Sequence, residues 1–180
     1  MGKYQTLGPD AEVYGGAMLA FVESIRFENF KPILEKHGLQ AIDPQKWYPQ
    51  QLWLDVFNDI VQEDDSMSNM VSIGMKIAET AVEGLTGISF VDLMLGFGKN
   101  SYEANNRGAD IGTIETRIID DKHILMVDGT PYPDEFVYGA YYAMARRFLP
   151  AGSDFTVAYD TDEPTRNQGG AVTKVHIQWK

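Results

Sequence analysis

The sequence predicts an α+β fold: an N-terminal bundle of about four helices packed with a four-stranded antiparallel sheet in hairpin, helix, hairpin order. Apolar residues recur at helical spacing through the first 108 residues, and the period changes to two from Ile114 onward. One further helical run, Asp134 to Leu149, separates two pairs of alternating segments. A chain of 180 residues suits a single domain, 1–180, with 1–108 mainly helical and 109–180 holding the sheet and one helix. Such a chain can bury about 70% of its unfolded surface. A content of 44% hydrophobic and 23% charged residues argues against disorder.

From Tyr14 to Phe30, Met18, Val22 and Ile25 share a helical face; Pro32 interrupts or kinks the run and Gly38 offers a stop. Asp43 and Pro44 set up a second helix, whose Leu52, Trp53, Val56, Phe57 and Ile60 form one broad stripe. After the acidic turn QEDDS, a third helix has two apolar faces, Met70/Ile73/Ile77/Ala81 and Val71/Met75/Ala78/Val82, which predicts a central position. Ser89 and Asp92 have capping-box spacing and open a fourth helix, bulky with Phe90, Leu93, Met94, Phe97 and Tyr102, that ends near Gly108.

Ile114, Thr116 and Ile118 then alternate with Glu115 and Arg117, and after the turn DDK Ile124 and Met126 alternate with Leu125 and Val127. The stretch PYPDEFVYGAYYAMARRF reads as a capped helix, with Asp134 as N-cap, Arg146 and Arg147 at the negative end of the dipole, and Val137, Tyr141, Met144 and Phe148 facing the sheet. Gly139 inside it predicts a close backbone approach. FTVAY and AVTKVHIQW form the last hairpin, and the loop between them, DTDEPTRNQGG, is expected to be mobile.

The net charge of −11 opposes a phosphate backbone, so nucleic acid is not an expected partner. No run of about 18 apolar residues occurs, so membrane insertion is not expected, and the start of the chain lacks a signal-peptide core. The absence of cysteine excludes thiolate metal sites and cysteine nucleophiles. A cytoplasmic location is the expectation.

Catalytic and metal patterns are weak. His37, His123 and His176 match no zinc spacing and read as unrelated; Asp160, Asp162 and Glu163 lack the glycine and bidentate glutamate of a calcium loop. GFGKNS lacks the first glycine of a phosphate loop, and no nucleophile elbow or dinucleotide fingerprint occurs. No catalytic or metal-binding residues are assigned, and the chain leans towards a non-enzyme.

HILMV, the turn PYP, the helix FVYGAYYAMARRF and a closing hairpin ending in Trp179, supported upstream by KWYPQQLWLDVFNDI and VSIGMKIAETA, resemble a particular superfamily. It joins 4-vinyl reductase-type domains, haem–nitric oxide/oxygen-binding (H-NOX) sensor domains and TRAPP transport-complex subunits. The resemblance implies a ligand cavity between the helices and the sheet, or a dimer interface on the same surface. It also implies a proximal histidine and a Tyr-x-Ser-x-Arg motif in haem-binding members. The helix from Ser89 to Arg107 has no histidine, and the motif positions read Met126, Asp128 and Thr130, so conventional haem is not expected; the cofactor is left open.

The expected function is therefore a non-enzymatic, sensory domain for a hydrophobic small molecule, acting through a partner protein or homodimer. A scaffold module of the same fold is the alternative, and a tetrapyrrole-metabolism enzyme a third reading. Trp53, Phe57, Met75, Phe90, Met94 and Phe97 are the candidate cavity residues, although the same residues could simply fill a core. Arg117 is the candidate polar anchor, or else an exposed strand arginine.

Overall fold

The computed structural model describes residues 3–24, 27–62 and 66–180. The chain starts with β1 (Glu12–Tyr14), α1 (Gly15–Ser24) and α2 (Phe27–Lys36), continues through β2 (Trp47–Pro49), α3 (Gln50–Ile60) and α4 (Ser66–Ala81), and then α5 (Phe90–Phe97). A π-helical turn, Gly98–Tyr102, and the short α6 (Glu103–Asn105) lead to β3 (Asn106–Arg107). There follow β4 (Ile114–Asp120), β5 (His123–Asp128), α7 (Asp134–Phe148), β6 (Phe155–Tyr159) and β7 (Thr173–Trp179).

The large sheet has the order β4-β5-β7-β6, antiparallel throughout, with Ile124 opposite Ile177 and Val157 opposite the same residue from the other side. Alternation puts Ile124, Met126, Val175 and Ile177 on the face covered by α7, where Val137, Tyr141 and Met144 meet them. A second cluster inside the helical part contains Met18, Phe21, Leu34, Trp53, Phe57 and Ile60. Tyr132 and Phe136 pack against both clusters, so the segment PYPDEF joins them.

Several expectations need correction. The first helix is two, and Pro32 lies inside α2 instead of ending a helix; Ile25 is outside the described residues, as are Glu63, Asp64 and Asp65 of QEDDS. Gly38, at φ 71°, does stop α2: its N–H and that of Leu39 bond the Glu35 and Leu34 carbonyls in a Schellman arrangement. The second helix begins only at Gln50, because residues 47–49 form β2 of a small sheet of order β2-β1-β3. That sheet left no trace in the hydrophobic pattern, since strands of two or three residues are too short to show a period.

The helix opened by Ser89, whose Oγ accepts the Asp92 N–H at 3.1 Å, widens into the π turn after Phe97. A Cβ on Gly98 would overlap the Ile114 carbonyl, so this turn lies directly against β4. Asp134 is not the N-cap of α7; Pro133 occupies that position, and the buried Asp134 carboxylate accepts from Asn167 N (2.9 Å) and Thr173 Oγ1 (2.5 Å). Gly139 makes the close approach expected of it, but to α4: a Cβ there would overlap the Val71 carbonyl, and one on Gly74 the Phe136 carbonyl. The loop 160–170, expected to be mobile, is tied down by a capped 3-10 turn, Arg166–Gln168, and by Arg166 itself.

Candidate functional site

Between the helices and the large sheet lies a partly open cavity of about 150 Å³. Phe21 of α1, Trp53 and Phe57 of α3, Phe97 at the end of α5 and Phe136 of α7 form its aromatic wall, and the small side chains of Ala17, Ala78, Ala81 and Ala140 leave the room. The rings brace one another edge to face, Phe57 against Phe136 at 5.3 Å and Phe97 against Tyr141 at 5.7 Å between centroids. Small residues on α4 and α7 thus allow two helices to approach closely while the aromatic residues of α1 and α3 close the other side.

Two polar networks end the cavity. In the first, the last residue of β5, Asp128, lies on the wall at 2% exposure. Its Oδ1 accepts from Thr130 N (2.9 Å) and Thr130 Oγ1 (2.7 Å), and its Oδ2 from the Tyr141 hydroxyl (2.8 Å). Burial pushes the Asp128 carboxyl above the usual carboxylate range, and the bonds from Thr130 and Tyr141 only partly oppose this. The Tyr141 phenol is raised by burial and by the adjacent carboxylate. Arg166 does not bond Asp128; it donates to the carbonyls of Gly129 (2.9 Å) and Thr130 from behind the turn.

In the second network, Asn106 Oδ1 accepts from Gln50 Nε2 (3.1 Å) and from the Tyr132 hydroxyl (3.0 Å), while Asn106 Nδ2 donates to the Tyr102 carbonyl (3.0 Å). The Tyr102 hydroxyl donates to the Ile111 carbonyl. Burial raises the Tyr102 and Tyr132 phenols, which stay neutral hydrogen-bonding groups at physiological pH.

Of the residues singled out by sequence, Trp53, Phe57 and Phe97 lie together on this wall. Met75, Phe90, Met94 and Arg117 do not. Met75 packs on the sheet-side core, Phe90 meets Trp179 edge to face at 5.4 Å, and Met94 is buried with its carbonyl accepting from Thr116 Oγ1 at 2.6 Å. Arg117 is on the exposed face of β4, ion-paired with Glu115 at 2.8 Å. Sequence reasoning missed Phe21, Phe136, Asp128 and Tyr141. The available signal was the DGTPYP turn after a strand, which forces Asp128 to fold back on its own Thr130 and places Tyr132 and Phe136 between the two cores.

The outer face of the sheet corrects the reading of unrelated histidines. His123 Nε2 and His176 Nδ1 are 2.8 Å apart, and His176 Nε2 is 2.9 Å from Asp160 Oδ2. The bond from His176 holds Asp160 below its ordinary range. His37 sits apart, 2.7 Å from Asp59. Among the described residues no group of three or more His, Cys, Asp or Glu side chains is arranged to hold a metal ion.

No family model matches the sequence, and no curated protein matches it significantly. Solved structures do. An H-NOX protein from S. oneidensis in the Fe(II)NO ligation state superimposes with a TM-score of 0.70 over 93% of this chain and 99% of its own, at 13% identity. An H-NOX structure concerned with haem distortion reaches 0.73 over 92% and 94% of the two chains, also at 13% identity. A Cs H-NOX mutant carrying 4-cyano-L-phenylalanine reaches 0.72 over 93% and 96%, at 13%. The chain has an H-NOX-like fold. Identity this low speaks to the fold alone; what the H-NOX-like frame holds depends on its own side chains. No described residue on the cavity wall is a histidine, and the chain contains no cysteine. No helix among the described residues is long and apolar enough to cross a membrane.

Proposed function

We propose that this H-NOX-like chain is a non-enzymatic sensory domain that holds a compact hydrophobic molecule, rather than haem, between its helices and its sheet. The observation that carries the reading is the aromatic-walled cavity of about 150 Å³. Apolar cavities of about this size stay dry and take benzene-sized solutes. Pockets for drug-sized ligands run to about 300–1,000 Å³, so a planar macrocycle calls for much more room. The wall also offers neither imidazole nor thiolate to ligate an iron: His37, His123 and His176 are engaged elsewhere, with Asp59, each other and Asp160. The structures similar to it include a protein named for an Fe(II)NO state, so the shared fold accommodates a ligand at all, and this chain's residues favour a smaller one.

A ligand there touches α1, α3, α4, α7 and the end of β5 at once. Filling the cavity therefore stiffens the contact between the helical part and the sheet, and that difference can be read by a partner protein or a second copy of the chain.

The test is a thermal-shift and native mass spectrometry screen with benzene, toluene, indole and short alkanes. A ligand at about 100 times its Kd stabilises by about 2.7 kcal/mol, a shift of several degrees. Bound species and raised melting temperatures are expected; no bound species and no shift with any of them overturns the reading.

A further inference from the structure

We propose that the cavity selects small organic ammonium ions, with Asp128 as their counter-ion and the surrounding rings as their cage. This rests on the cavity being a ligand site. Asp128 is the one formally charged residue among the described residues of a wall that is otherwise aromatic, aliphatic or neutral polar. It is 2% exposed, so water does little to stabilise its charge. Its three hydrogen bonds, two from Thr130 and one from Tyr141, use three of the roughly four acceptor positions of a carboxylate and leave one on Oδ2.

The charged and titratable groups around it only partly offset the cost of burying its charge. From the 160–170 loop, the Arg166 guanidinium, bonded to the Gly129 and Thr130 carbonyls, keeps its charge and lowers the Asp128 carboxyl, though by less than burial raises it; from α7 and the π turn, Tyr141 and Tyr102 are phenols that burial keeps neutral. A carboxylate in this setting either holds a proton or waits for a cation. Phe57, Phe97, Phe136 and Trp53 supply ring faces, and a cation within about 6 Å of such a face is attracted by its quadrupole. A benzene-sized amine can place its ammonium at Asp128 Oδ2 and its apolar body among these rings. Ligand entry then exchanges a proton on Asp128 for an ammonium.

The experiment compares benzylamine with its uncharged isostere ethylbenzene, by thermal shift and titration calorimetry, on the full chain and on Asp128→Asn. Benzylamine is expected to bind the wild-type chain at least about tenfold more tightly than ethylbenzene. Its affinity is expected to fall as pH is lowered through the raised Asp128 carboxyl, as a proton returns to it. Asp128→Asn keeps an acceptor for Thr130, and is expected to lose the preference while still binding ethylbenzene. Ethylbenzene binding as tightly as benzylamine, or amine affinity that does not weaken at any acid pH at which the chain stays folded, overturns the ammonium proposal and leaves the cavity reading standing. Binding of neither molecule overturns both. The wild-type pH series needs no variant, so a misfolded Asp128→Asn would not remove the test.

Discussion

Asp128 illustrates how burial of a single carboxyl couples stability to pH. Its carboxyl is pushed up by burial, so the folded chain holds this proton more tightly than the unfolded chain, where the group titrates near about 3.9. The folded-state pKa is raised. Its contribution to stability is therefore full below the unfolded value and is lost as pH rises through the folded one. Asp59, lowered chiefly by its bond to Lys36, and Asp160, lowered chiefly by His176, have the opposite sign: their contributions are present above the ordinary carboxylate range and are lost as pH falls. Urea denaturation across pH should show that Asp128→Asn removes a loss of stability on the rising side of the carboxylate range and leaves the acid-side loss in place. An identical pH profile for variant and wild type would show that Asp128 is ordinary in the folded chain. Tyr141→Phe should cost about 1–3 kcal/mol, because it leaves a buried carboxylate oxygen without its donor.

At the scale of elements, the contact between α4 and α7 sets the geometry of the cavity. Gly74 faces the backbone of α7 at Phe136 and Gly139 that of α4 at Val71, and no Cβ fits at either position without separating the helices. Glycine inside a helix costs roughly 1 kcal/mol relative to alanine, so on propensity alone Gly139→Ala should stabilise. Packing reverses the sign. We expect Gly74→Ala and Gly139→Ala each to destabilise by about 1–3 kcal/mol in urea denaturation, and a gain in stability at either would refute the close packing. Gly139 was legible as a tight spot, because a glycine in the middle of an otherwise good helix needs a reason. Its partner was not, since a contact between residues 68 positions apart (139 − 71) leaves no local pattern. The same limit explains the missing small sheet and the placing of Asp134: the local rule for helix caps points to the aspartate, but Asn167 and Thr173 reach it only after the chain has folded.

For the whole molecule, several large apolar side chains are exposed. Leu85 and Ile88 precede α5, Leu95 lies on it, and Ile118 and Ile119 lie near the end of the edge strand β4, on which α5 packs. An edge strand with apolar side chains favours a protein partner or self-association. If a second copy docks there, Ile118→Lys should convert a dimer into a monomer in sedimentation at two concentrations without lowering the melting temperature of the monomer. A dimer that survives the substitution would exclude this surface. The net charge of −11 opposes unspecific association with other acidic surfaces.

The sequence by itself determined the α+β class, the four-stranded antiparallel sheet, the position of α7 and the aromatic supply on α3 and α5, because hydrophobic period and turn chemistry are local properties. It also named Trp53, Phe57 and Phe97, bulky residues on apolar helical faces. Whether such faces close into solid core or stand back around a cavity depends on how near the backbones come, which Gly74, Gly139 and Gly98 decide in three dimensions. Only the tertiary structure put Asp128 and Tyr141 at the end of that space, since the fold brings them into contact from different elements and buries the carboxylate there.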